Sequence, residues 1–321
     1  MADNLNTLIV WLIALLQLVL FVALAPLFAG WVIRIKCYLQ NRRPPVLLQP
    51  YRDLRRLFAK QVILAENASV VFRIAPYIVL GTMVIAASAI PLLMVQIPLA
   101  AMADAIVLVG TFALGRFFLA LAGLDVGTSF GGMGSSREMT ISALAEPAML
   151  VVVFTLAMLA SSTNLSSIVT YILSQGLVLR PSLLFALLAL ILVGIAETGR
   201  FPVDNPATHL ELTMIHEAMI LEYSGRHLAL MELAAQLKLT IYVVLIANLF
   251  FPWGISQTFG AGTLLFAAFA LLVKLAALGV LLAVSETVMA KMRLFRVPTL
   301  LAVAFTLSLL GMLSFIMLEG Y

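Results

Sequence analysis

The sequence predicts an all-α integral membrane protein with about eight transmembrane helices, both termini outside and large cytoplasmic connections. Three observations carry that prediction. Hydrophobic residues make up 63% of the 321 positions and charged residues 11%, and the mean hydropathy is +1.13, whereas a soluble chain of this size needs far more polar residues to cover its surface. Apolar runs of roughly 17–25 residues, the length needed to cross a bilayer, recur from end to end. The charges crowd into a few short stretches, most of them on one predicted side.

The first run, 5–33, imitates a secretory leader, because Ala23-Leu24-Ala25 looks like a cleavage site. Asp3 precedes it without any Lys or Arg, Pro26 follows, and apolar residues continue to Ile33. It reads as an uncleaved first membrane helix. The connection 34–73 then carries nine basic residues. Inside it, residues 49–61 predict a short amphipathic helix, with Leu54, Leu57 and Phe58 at helical spacing and cations between them. Two readings stand for that helix: it lies on the membrane surface, or it docks beneath a peripheral subunit. The same cations also suit anionic lipid headgroups.

Further spans are predicted at 74–96, 104–123, 147–161, 183–199, 238–253, 260–284 and 298–318. The fourth is short and extends backward through Glu146 toward Ala143. No internal repeat and no low-complexity linker divides the chain, so 1–321 reads as a single polytopic membrane domain. Arg116 and Arg137 fall to the 116–146 connection, Arg200, Arg226 and Lys238 to 200–238, and Lys291, Arg293 and Arg296 to 285–297. With 34–73, these place seventeen of the nineteen basic residues on one side, which marks that side as cytoplasmic. Only Arg180 falls in an opposite loop, and Lys274 lies within a span.

The single cysteine, Cys37, cannot form an internal disulfide or hold an iron–sulfur cluster alone. His209, His216 and His227 share one connection without tight ligand spacing. The chain is therefore expected to carry no cofactor of its own. The carboxylates are the candidates for chemistry. Glu197 ends an apolar run and Glu146 abuts Pro147 at the mouth of another, with Asp125, Glu138, Asp204, Glu211, Glu217 and Glu222 in the adjoining stretches. A carboxylate at or within a membrane helix is costly unless it faces protein or water, and burial lets it exchange protons near neutrality. Several together predict a proton relay; the alternative for each is a solvated helix end. Lys274, in the middle of the seventh run, needs a partner on another helix or must be neutral.

The motifs are familiar. Arg42-Arg43-Pro44-Pro45-Val46, followed by Gln49-Pro50-Tyr51-Arg52-Asp53, is similar to an Arg-Arg-Gly-Pro-Gly…Gln-x-Tyr-Arg-Asp pattern. Gly123-Leu124-Asp125-Val126-Gly127-Thr128-Ser129-Phe130, Gly134-Ser135-Ser136-Arg137-Glu138, Glu146-Pro147 and Glu222-Tyr223-Ser224-Gly225 follow in order. Over essentially its whole length the chain resembles the membrane subunit that respiratory complex I shares with the group 4 membrane-bound [NiFe] hydrogenases, and it looks most like the formate hydrogenlyase branch.

That resemblance implies a non-catalytic anchor subunit in a bacterial or archaeal cytoplasmic membrane. It would dock an iron–sulfur small subunit and a catalytic large subunit, whose clusters and nickel–iron centre lie outside this chain, and link them to antiporter-like ion-pumping subunits. No nucleic acid is expected. Arg43, Arg52, Asp53, Asp125, Arg137 and Glu138 are then the candidates for docking the redox arm. Glu146, Glu197, Asp204 and Glu211, with Lys274, are the candidates for a polar path. In complex I the same subunit forms much of the quinone chamber, so a quinone-chamber subunit is the first alternative; a free-standing secondary transporter is the second. The chain departs from the pattern at Pro44 and Val46, where relatives have glycine, and at Ala207 and His209, where relatives have a row of glutamates. His209 and His216 are candidate substitutes for those glutamates, since histidine titrates near neutral pH.

Overall fold

The computed structural model of the chain describes residues 2–95, 103–176, 180–204, 214–257, 260–289, 292 and 296–319. Those residues are almost entirely helical. Eleven α-helices follow in order: α1 (Ala2–Leu39), α2 (Gln49–Ala59), α3 (Val70–Ala89), α4 (Ala105–Asp125), α5 (Ser129–Ala160), α6 (Leu165–Gln175), α7 (Pro181–Glu197), α8 (His216–Ile220), α9 (Gly225–Leu249), α10 (Ala261–Val288) and α11 (Val297–Ser314). A π-helical turn, Phe315–Glu319, prolongs α11.

Seven of these, α1, α3, α4, α5, α9, α10 and α11 with its extension, are long and apolar enough to cross a membrane, and α7 is a shorter apolar helix of the same set. Each of the eight expected spans therefore falls on a helix, seven of them long enough to cross a membrane, with two large shifts. The fourth begins at Ser129, eighteen residues before 147, and the sixth begins at Gly225 instead of 238. The first addition is rich in Gly, Ser and charged residues, and the second carries Arg226, His227 and Glu232, which hides both from a hydropathy reading. They are helical because protein surrounds them. A side chain at Gly131 would strike the Gly123 carbonyl, and one at Gly134 would strike the Ile215 carbonyl and Met219. The lack of side chains there lets α5 lie close against the end of α4 and against α8.

The packing order places the interior. α3 packs on α4, α4 on α5, and α11 lies along both α5 and α7, while α9 joins α3 to α1 and α1 pairs with α10. The α1–α10 seam is closed by Trp31, whose indole N–H donates to the Ala276 carbonyl at 3.3 Å and whose ring sits where Gly279 has no side chain. At one end of the bundle, connections are tied by short backbone pairings: Ser256 exchanges bonds with Leu93 and Val95, and Ala103 and Ala105 with Thr163 and Leu165. At the other end, α2 is the expected amphipathic helix. Leu54 is buried beneath it, Leu57 is half-buried, and Phe58 points outward at 48% exposure.

Candidate functional site

Four helices bring charged side chains to one layer inside the bundle. α4 supplies Arg116, α5 supplies Glu138, Ser142 and Glu146, α7 ends on Glu197, and α9 supplies Lys238. Arg116 is only 4% exposed. Its Nη1 forms a close ion pair with Glu197 Oε1, and its Nη2 lies 3.0 Å from Glu146 Oε1. Lys238 Nζ lies 2.9 Å from the other oxygen, Glu197 Oε2. Ser142 Oγ donates to Glu146 Oε1 at 2.6 Å. Burying so many ions costs several kcal/mol each unless they face one another; here each cation lies against a carboxylate.

Two further carboxylates border the layer. Glu138 is 8% exposed and makes no hydrogen bond or ion pair with the described residues. It sits within electrostatic reach of Lys238, Glu197, Arg116 and Asp204. Asp204, also buried, accepts the backbone N–H groups of Ile215 (3.1 Å) and His216 (3.2 Å) at one carboxylate oxygen. This pins α8 against the exit of α7. His216 Nε2 is buried without a hydrogen-bond partner among the described residues. Desolvation by burial holds the His216 imidazole below its ordinary pKa; Glu217 opposes this, Lys238 adds to it and Asp204 opposes it.

One turn beyond the charged layer, on the same side in each of the four helices, the lining becomes apolar. Phe112 precedes Arg116 by four residues, Met149 follows Glu146 by three, Gly194 precedes Glu197 by three and Tyr242 follows Lys238 by four. The Phe112 and Tyr242 rings stack with centroids 5.2 Å apart. Tyr242 Oη donates to Met149 Sδ at 3.4 Å, and Gly194 leaves room for the Tyr242 ring. This floor closes the layer toward the end of the bundle where Ser256 and Thr163 sit. The burial is uneven: Glu146 keeps 32% of its side chain exposed, while Arg116 and Glu197 keep 4% and 1%.

Among the expected path residues, Glu146 and Glu197 share Arg116, and Asp204 lies within electrostatic reach of Glu138. Glu211 and His209 lie outside the described residues. Lys274 is half-buried on α10, which packs on α1 and α9, and it makes no hydrogen bond or ion pair with the described residues. Among the expected docking residues, Arg43 and Arg52 are exposed, and Asp53 accepts from Gln49 Nε2 at 2.9 Å. Asp125 instead caps the neighbouring helix, accepting Ser69 N–H at 2.8 Å and Ser69 Oγ–H at 2.6 Å. Arg137 donates to the Met214 carbonyl at 2.9 Å. Glu138 lies in the interior beside the charged layer instead of on a docking surface.

Arg116 and Lys238 do not belong to the connections to which the charge count assigns them. They sit inside α4 and α9 and neutralise the carboxylates there. The rule applied to Lys274, that a lone cation inside an apolar run marks a buried pair, identifies Arg116 as well. A second buried pair escapes the sequence altogether. Glu286 on α10 takes Lys36 from α1 at 2.9 Å and Arg200 from the α7 exit at 3.4 Å. Among the described residues, no group of three or more His, Cys, Asp or Glu side chains is placed to hold a metal ion.

Known proteins share this architecture. The family model described as NADH dehydrogenase matches residues 12–317. Formate hydrogenlyase subunit 4 of Escherichia coli K12 is 35% identical over 300 residues, covering 94% of this chain and 97% of that protein. Hydrogenase-4 component C of the same organism is 34% identical over 301 residues, covering 93% of each. A chain in the structure of the membrane-bound sulfane sulfur reductase, an archaeal respiratory membrane complex, superposes with a TM-score of 0.78 at 18% identity, covering 95% of this chain and 98% of that one, and so shares the fold. The layered charges, the eight-helix order and these likenesses agree: the chain belongs to the NADH dehydrogenase family of membrane subunits, with formate hydrogenlyase subunit 4 and hydrogenase-4 component C among its close relatives.

Proposed function

We propose that this chain is the membrane anchor of a hydrogenase-type redox complex in a bacterial or archaeal cytoplasmic membrane. In this reading it holds an iron–sulfur small subunit and a nickel–iron large subunit on its basic cytoplasmic face. It passes protons sideways to antiporter-like membrane subunits. The observation that carries the reading is the buried layer of Arg116, Glu146, Glu197 and Lys238. Its apolar floor obstructs a direct route across the bundle, while Glu146 keeps 32% of its side chain exposed. A carboxylate half-exposed in the middle of a membrane helix is costly against lipid, so a polar partner surface is its natural cover.

The docking candidates Arg43 and Arg52 are exposed on and before α2, beside exposed Arg55 and Arg56, and Asp53 keeps 46% of its side chain exposed. The quinone-chamber alternative ranks second. A cavity of about 250 Å³ lies between α1 and α10, lined by Leu24, Phe28, Trp31, Leu47, Leu272 and their apolar neighbours. Its one ring N–H, that of Trp31, already donates to Ala276.

The test is purification of the intact complex from native membranes, with metal analysis of what accompanies this chain. A co-purifying arm with nickel and iron supports the reading. An arm that reduces quinone and lacks nickel supports the complex I-like alternative, and recovery of the chain alone supports a free-standing transporter.

A further inference from the structure

Glu138 makes no ion pair with the described residues, whereas Arg116, Glu146, Glu197 and Lys238 pair with one another. The four ions beside it already balance: Arg116 and Lys238 carry two positive charges, and Glu146 and Glu197 carry two negative ones. Glu197 is occupied at both oxygens, by Arg116 at one and by Lys238 at the other. To take up a proton it would have to give up two cations inside the protein, where an unpaired cation is strongly disfavoured. Glu138 differs. Its ionisation would add a single uncompensated negative charge to a neutral quartet, and its neutralisation would restore balance, so both states lie within reach.

Geometry supplies the next step. Glu138, Ser142 and Glu146 follow one another down α5 at spacings of four, each one helical turn from the next, which makes them neighbours on the helix surface. Ser142 is 7% exposed and already donates its proton to Glu146. Its oxygen keeps lone pairs free to accept from the other side. Resting on the proton path proposed above, we propose that Glu138, Ser142 and Glu146 form a proton wire along α5, and that Glu197 is its fixed counter-ion, not a carrier.

The transfer conserves charge and atoms. With its side chain turned onto Ser142, one helical turn away, the Glu138 carboxylic acid gives its proton to Ser142 Oγ as the Ser142 proton passes to the Glu146 carboxylate. Glu138 is left ionised and Glu146 neutral, and rotation of the hydroxyl resets the wire. Neutral Glu146 no longer attracts Arg116, which then rests wholly on Glu197. The two cations therefore also position the wire: they hold Glu197 ionised and Glu146 ready to receive.

The experiment reconstitutes the purified complex in proteoliposomes and measures protons translocated per electron transferred. Glu138→Gln and Ser142→Ala should each lower that ratio tenfold or more, and Ser142→Thr, which keeps the hydroxyl, should restore most of it. In infrared difference spectra, a carboxylic-acid C=O band should vanish in Glu138→Gln and persist in Glu197→Gln. If Glu146→Gln abolishes translocation while Ser142→Ala and Glu138→Gln leave it whole, the wire is wrong and the path stands. If Glu146→Gln also translocates fully, the path itself fails. Should Glu138→Gln not assemble, the Ser142→Ala and Ser142→Thr pair decides: equal ratios in the two would overturn the wire.

Discussion

Lys36 and Glu286 are 250 residues apart in sequence and 2.9 Å apart in the fold. Their pairing joins the C-terminal ends of α1 and α10, and Arg200 brings the exit of α7 to the same carboxylate. The Lys36 ammonium also lies 6.0 Å from the centroid of the Phe201 ring. The pair α1–α10 is otherwise held to the bundle chiefly by apolar contact with α9, so this one buried carboxylate fixes its rotation relative to the α7 exit.

Glu286→Ala leaves two cations facing each other without their anion. Lys36 keeps 35% of its side chain exposed, so solvent screens part of the loss, and we expect a destabilisation of about 2 kcal/mol, below the cost of breaking a fully buried pair. Thermal unfolding in detergent checks this. The exchange Lys36→Glu with Glu286→Lys should recover part of the deficit; no recovery would mean that the position is held by packing alone.

Gly225 opens α9 with φ +55°, and a side chain there would meet the Gln61 carbonyl. Next to it, Ser224 Oγ accepts the Ile63 N–H at 2.8 Å and donates to the Ile63 carbonyl at 2.9 Å. Gly225→Ala combines backbone strain with a clash and should cost about 1–3 kcal/mol. Limited proteolysis should then cut near residues 60–63 faster than in the parent protein. Unchanged cleavage and melting would show that the segment is anchored elsewhere.

His216 makes stability depend on pH in one direction. Burial favours the neutral ring, so its folded pKa lies below the unfolded value of about 6.5. As pH falls through that value, the unfolded chain binds a proton that the folded chain does not. Stability therefore drops from there down to the folded pKa, and is fully present above the unfolded one. His216→Asn should melt with a smaller loss between about pH 7.5 and pH 5.5 than the parent. Parallel melting curves for the two would remove His216 from the account.

Charge reversal at Arg52, Arg55 and Arg56 to Glu should release the redox arm while the membrane domain stays folded, because all three side chains are exposed. Co-purification reads the first outcome and circular dichroism the second. A complex that stays whole would assign these cations to lipid headgroups.

Orientation follows from the same charges. In a Cys37→Ser background, a cysteine at Arg42 should label only from the cytoplasmic side and one at Trp253 only from outside. Cytoplasmic labelling at Trp253 would invert or break the proposed topology.

The eight spans and α2 were legible in the sequence because apolar length and amphipathic spacing are local properties. Residues 129–142 and 225–237 were not, since their polarity is matched by surrounding protein instead of by lipid, a fact of packing that no local window carries. Glu146, Glu197 and Asp204 could be found as costly carboxylates near apolar runs. Their cations could not be assigned, because Arg116 precedes Glu197 by 81 residues, and only helix packing brings them together. Glu138 shows the opposite difficulty: its motif neighbourhood suggested a surface, and its burial becomes visible only once α5 is extended back to Ser129.

Pro147 gives α5 a mechanical character. A proline inside a helix has no N–H for the carbonyl four residues earlier, here Ala143, and its ring crowds that carbonyl. The helix is thus softest at one turn, and Glu146 stands within that turn. The helical segment 129–142 lies on the other side of that turn. A small tilt of that segment, which Arg137 ties to the Met214 carbonyl, is absorbed between Ala143 and Pro147 and is delivered as displacement of a single carboxylate against Arg116.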